Sequence, residues 1–173
     1  RAVRTGYAGR HAAMEADAFD LMTDQARRRA GKGAFEPPFT QAQVTTGRAY
    51  RALVERCAAA GVKCSSLEAA AVRGGGGHGR GREEAICDDW AKLRRARSRI
   101  GDGLAKEVRR MRPSARGPAA RAIRTLDLVE AVCVRGQTLS HVLKLHGWRP
   151  DGKAVGALRT ALCAALDRLY GYI

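Results

Sequence analysis

The sequence predicts an all-α fold: a helical bundle closed by a C-terminal helix-turn-helix. Three observations lead there. Hydrophobic residues make up 45% of the chain but aromatics only 5%, and Ala and Leu, good helix formers, dominate the apolar positions in place of β-branched runs. Glycine and proline breaks divide the chain into stretches with apolar residues at three- and four-residue spacing. The last stretch is the most regular, with Val155, Leu158, Leu162, Leu166 and Leu169 at steps of 3, 4, 4 and 3.

The elements follow in order. Residues 1–11 read as an irregular lead containing Gly6 and Gly9. A helix is expected over about 12–30, with Met14, Ala18, Leu21, Met22 and Gln25 at helical spacing and Arg27, Arg28 and Arg29 suiting its C-terminal dipole. Gly31, Gly33, Pro37 and Pro38 then form a linker. Thr40 and Gln43 have capping-box spacing for a helix running to about Ala60, striped by Val44, Leu53, Val54, Cys57 and Ala58, with Tyr50 at the margin and Gly61 as its stop. The Gly-rich run 74–81 lacks the Lys-Ser/Thr pair of a phosphate loop and reads as a flexible linker. A helix from about Glu83 to Ile100 presents Ile86, Trp90, Leu93, Ala96 and Ile100 on one face. Leu104, Val108 and Met111 suggest a short helix, and Gly117 and Pro118 a second linker. The organisation expected is an N-terminal helix and linker (1–38), a helical domain (39–117) and a helix-turn-helix domain (118–173).

Charge restricts the partners. The formal net charge is +15, from 32 Lys plus Arg against 17 Asp plus Glu, an excess that suits a polyanion. No apolar run approaches the ~20 residues that span a bilayer, so membrane is not an expected partner. Residues 94–124 hold eleven basic residues against two acidic ones. Arg109, Arg110, Arg112 and Arg121 belong to this block and are expected to hold DNA phosphates, fixing position without reading sequence. The five cysteines include no CxxC pair, which reads as free thiols in a reducing cytoplasm, with no metal and no cofactor. The chain begins at Arg1 and shows no signal peptide, as expected of a piece of a longer cytoplasmic protein.

The C-terminal quarter carries the strongest pattern. A helix over 119–134 is expected to turn Ile123, Leu126, Val129 and Val132 or Cys133 inward. Thr138 caps a short helix that buries Leu139, Val142 and Leu143, Gly147 takes a left-handed turn position, and a long helix starts near Lys153. In such a unit the second helix enters the major groove. Its outer face carries Lys153, Gly156, Arg159, Thr160 and Cys163. Lys153, Arg159 and Thr160 are candidate donors to DNA, and Lys144 and Arg149 flank the turn for phosphates. His146 is expected to be a half-buried core histidine.

The stretch "VRGQTLSHVLKLHGW" followed by "AVGALRTALCAALDRLYG" resembles region 4 of bacterial sigma factors and sigma-like phage late-gene regulators. With "TGYAGRHAAMEADAFDLM" and "GRAYRALVERCAAAGVKCSSLEA", the wider chain is similar to the C-terminal, phage-derived part of the gene transfer agent activators of alphaproteobacteria. That resemblance implies a sigma region 4-like helix-turn-helix in a transcription activator that binds DNA and works with RNA polymerase. The Gly-rich run 74–81 has no counterpart in sigma region 4. The alternative is an architectural or packaging protein that binds nucleic acid without sequence choice. An enzyme is not expected, because the adjacent Asp88 and Asp89 point apart on a helix and make a poor metal pair.

Overall fold

The computed structural model describes residues 2–4, 11–13, 16–31, 33–64, 79–108 and 120–173. The chain is mostly helical, as expected, with two short antiparallel strand pairs. The first pair, β1 (Ala2–Arg4) and β2 (His11–Ala13), replaces the irregular lead and the start of the expected first helix. Helix α1 (Ala18–Ala30) begins later because Asp17 closes it: Asp17 Oδ1 accepts from the Asp20 amide at 2.9 Å, and Asp20 reaches back to the Asp17 amide.

Helix α2 (Gln41–Cys64) starts at the expected capping box, with Thr40 Oγ1 accepting from the Gln43 amide at 3.2 Å and Gln43 Oε1 from the Thr40 amide at 3.0 Å. It runs through Gly61, past the expected stop, since one glycine costs a helix only about 1 kcal/mol. Helix α3 (Gly79–Ile100) likewise takes the end of the Gly-rich run into its first turn; 74–78 lie outside the described residues. Its buried face is Leu93, Ala96 and Ile100, whereas Trp90 stays 40% exposed.

The next two elements depart from expectation. Leu104–Lys106 is a strand, β3, not a helix, and it pairs with β4 (Ile123–Arg124). Long-range bonding overrides helical spacing here: the Thr125 amide and hydroxyl both donate to the Gly103 carbonyl at 2.8 Å. Ile123, drawn into the ladder, is completely buried. Helix α4 therefore starts at Thr125, runs to Val129 and widens into a π-helical stretch over Glu130–Val134. The wider turn coincides with burial of three successive residues, Ala131, Val132 and Cys133. It ends at Gly136, φ 65°, with the Gln137 amide donating to the Ala131 carbonyl at 2.9 Å.

Helix α5 (Leu139–Leu145) and helix α6 (Gly152–Leu169) complete the fold. One apolar core collects residues from α1 through α6, so all three segments named from the sequence contribute to it. Leu158, Leu162, Leu166 and Leu169 lie at its centre, fully buried, and Val155 packs at its edge. Each such leucine contributes roughly 1.5–3 kcal/mol by leaving water. Tyr50, expected at the margin of its helix, is also fully buried. Burial pushes its phenol pKa up, against the opposing pull of the nearby Arg97 guanidinium. Among the described residues no helix is long and apolar enough to cross a membrane.

Candidate nucleic-acid interface

The turn between α5 and α6 is held from several directions. Thr138 caps α5 as expected, its side chain accepting from the His141 amide. Gly147 has φ 74°, the left-handed position expected of it. The Trp148 amide returns to the Leu143 carbonyl at 2.8 Å. Asp151 then caps α6, its Oδ1 accepting from the Ala154 amide at 2.6 Å.

The base of the basic block is fastened to this turn. The Arg121 amide donates to the His146 carbonyl at 2.9 Å, and its Nη2 donates to the Leu145 carbonyl at 3.0 Å. Trp148 Nε1 donates to the Arg121 carbonyl at 2.7 Å. Lys106 Nζ sits 4.3 Å from the centroid of the Trp148 ring, a cation–π contact. Arg121, Lys144, Arg149 and Lys153 are exposed, and Lys106 is half-buried. Arg109, Arg110 and Arg112 lie outside the described residues. Sequence reasoning named Arg121, Lys144, Arg149 and Lys153 and counted Lys106 in the basic block, but missed the organising role of Trp148. The available signal was an indole placed directly after the turn glycine in a cationic stretch.

Four described arginines pair with carboxylates. Arg48 meets Asp17 at 2.7 Å and Asp20 at 3.2 Å; Arg51 meets Glu55, Arg56 meets Asp89, and Arg97 meets Glu130. All of these lie on α1 to α4 or their caps. Beyond Glu130, no described basic side chain pairs with a carboxylate. Residues 139–173 hold only two acids, and both are engaged: Asp151 caps α6, and Asp167 accepts from Gln43 Nε2 at 2.9 Å. Cations around the turn are thus left to solvent or a partner.

No protein-family model, curated protein or solved structure matches the chain.

Arg159 and Thr160 have different surroundings from Lys153. Arg159 lines two neighbouring clefts, of about 410 and 460 Å³, between α6 and the segment formed by α1 and the Pro37–Pro38 linker. The Thr160 hydroxyl donates to the carbonyl of Gly156 at 3.1 Å, in its own helix. His146 is half-buried as expected, and its buried Nδ1 has no hydrogen-bond partner among the described residues. No cluster of three or more metal-binding side chains occurs among the described residues. Cys133 is buried, which pushes its thiol pKa up to about 12.

Proposed function

We propose that the chain is a DNA-binding transcription activator that works with RNA polymerase at the phage-like promoters of gene transfer agent genes. The observation that carries this reading is the cluster of cations around the α5–α6 turn, none of which pairs with a carboxylate among the described residues. Lys144 and Arg149 flank the turn, Lys153 stands in the first turn of α6, and Arg121 and Lys106 are fixed beside them. In helix-turn-helix proteins the first residues of the second helix meet base edges while neighbouring cations hold phosphates. Lys153 takes the first role here, and Arg149, Lys144 and Arg121 the second. The resemblance to sigma region 4 supports the same surface and adds polymerase as a partner.

The test is fluorescence anisotropy on labelled duplexes across a salt series. Each phosphate contact contributes about 0.9 to the slope of log K against log salt. Replacing Lys144, Arg149 and Lys153 together with Ala is expected to flatten that slope by about 2–3. Unchanged binding with an unchanged slope refutes the interface. Equal affinity for promoter and random duplexes favours the architectural alternative. Recovery of RNA polymerase from nuclease-treated lysate supports the activator reading, and its absence counts against the polymerase part.

A further inference from the structure

We propose that the outer face of α3 docks a second copy of this chain, with the two helices antiparallel about a two-fold axis. Along that face the charge changes sign at the middle of the helix. Glu84 and Asp88 stand in the first half and Arg95 and Arg99 in the second, at steps of 4, 7 and 4 residues. At 3.6 residues per turn these steps keep all four on one stripe. The stripe is exposed and points away from the buried Leu93, Ala96 and Ile100. None of the four makes an ion pair among the described residues. Glu83 and Arg94, also exposed, repeat the division.

A lone helix has no need of this pattern. Its dipole favours acids in the first turn and bases in the last, but Asp88 and Arg95 lie well inside both ends of Gly79–Ile100. A self-stabilising helix surface sets an acid four residues before a base. Here Glu84 precedes Asp88 and Arg95 precedes Arg99 at that spacing, so like charges face each other along the stripe. Lys92, four residues after Asp88, makes no ion pair with it and acts on Asp89, whose carboxyl Arg56 and Lys92 help hold below the usual range.

An antiparallel copy answers both repulsions. The spacing is symmetric, and the sign inverted, about the level of Ala91 and Lys92. A two-fold axis there sets Asp88 against Arg95 of the second copy and Glu84 against its Arg99, and each contact occurs twice. The small side chain of Ala91, near the axis, lets the helices approach to about 8–10 Å. Trp90, 40% exposed at the same level, supplies an aromatic rim. The chain thus carries its own complementary surface. Exposed ion pairs are individually weak and the net charge of +15 opposes association, so the dimer is a weak, reversible one. A DNA duplex is a poorer occupant, since the acidic half of α3 repels it. Dimerisation needs no nucleic acid and stands apart from DNA binding; on the DNA-binding reading, the dimer presents two α5–α6 turns related by two-fold symmetry, as paired half-sites require.

The test is sedimentation equilibrium of the nuclease-treated chain at concentrations up to about 1 mM. The parent is expected to show a monomer–dimer equilibrium. Asp88→Arg and Arg95→Asp each turn two attractions into two repulsions, and each is expected to weaken the dimer at least about ten-fold. They shift the net charge in opposite directions, so a common loss cannot come from overall repulsion. Both side chains are exposed, and circular dichroism and thermal midpoints establish that the variants fold. An equimolar mixture of the two is expected to recover the parent's association, because arginine at position 88 then faces aspartate at position 95. The doubly substituted chain, Asp88→Arg with Arg95→Asp, is expected to recover it alone. A parent that stays monomeric throughout overturns the proposal, as does a dimer that neither single variant weakens. Failure of both the mixture and the doubly substituted chain to recover association also overturns it. If Arg95→Asp weakens binding of a labelled duplex and leaves association unchanged, this face contacts nucleic acid and the proposal falls.

Discussion

Gly47 lies inside α2, where replacing glycine by alanine ordinarily stabilises a helix by about 1 kcal/mol. Here the expected sign is reversed. A Cβ built on Gly47 falls 2.7 Å from Phe19 Cζ, 2.8 Å from Phe19 Cε2 and 3.3 Å from Cys133 Sγ. The Phe19 ring has little room to yield: it is 3% exposed and packs edge-on against Phe39 with centroids 5.2 Å apart. Overpacking of this kind costs about 1–3 kcal/mol, which exceeds the helical gain. Gly47→Ala is therefore expected to destabilise the fold by up to about 2 kcal/mol net. Urea denaturation followed by helical circular dichroism measures it, as a lower midpoint with an unchanged slope. Gly156→Ala is the internal control, because its Cβ meets nothing within 4 Å; it is expected to stabilise by about 0.5–1 kcal/mol. Adding Phe19→Leu to Gly47→Ala should cost less than the sum of the two single losses, since both act on one contact. A Gly47→Ala protein as stable as the parent, or more so, refutes the packing argument.

Other expectations follow from the same structure. Asp151→Ala removes the α6 cap and should cost about 0.5–2 kcal/mol in the same denaturation assay; no change would mean that Asp151 Oδ1 does not hold the Ala154 amide in solution. Burial works to raise the pKa of Asp17, but hydrogen bonds from Arg48 and from the Asp20 and Phe19 amides outweigh it and hold the pKa below the usual carboxylate value. Its stabilising contribution is therefore present above the unfolded carboxylate pKa and lost as pH falls through the lower folded value. Asp17→Asn should flatten the acid side of the stability–pH curve, and an unaltered curve would count against this assignment. Cys133, with its pKa pushed up to about 12 by burial, should resist iodoacetamide at pH 8 in the folded protein while exposed Cys87 reacts. Peptide mapping that finds Cys133 alkylated as fast as Cys87 would contradict its burial.

Local signals made much of this fold legible in the sequence. The Thr40–Gln43 box, the Thr138 cap, the Gly147 turn and the leucine stripe of α6 each depend on residues within one or two helical turns. What escaped depends on distant partners. Leu104, Val108 and Met111 have helical spacing, yet Leu104–Lys106 became a strand because Ile123–Arg124, far along the chain, supplied its ladder. One local feature also departs from the usual pattern: Asp17 and Asp20 form a capping box with two acids in place of Ser or Thr followed by Glu or Gln. At the interface, Lys144, Arg149 and Lys153 were legible from their places around the expected turn and at the start of the last helix. The fastening of Arg121 to the end of α5 and the contact of Lys106 with Trp148 were visible only once β3 and β4 were paired.

Arg168 ties the far end of α6 to the end of α3. Its Nε donates to the Arg99 carbonyl at 3.1 Å and its Nη2 to the Ile100 carbonyl at 2.7 Å. Arg99 returns the favour at longer range, Nη1 to the Arg168 carbonyl at 3.5 Å, while its guanidinium covers Tyr172. The middle of α6 is held by leucines fully buried in the core and its start by the Asp151 cap. Helix α6 has 18 residues, hence a length of about 27 Å. Held at both ends and along its length, it acts as a strut: it fixes how far the cations at its start stand from the end of α3.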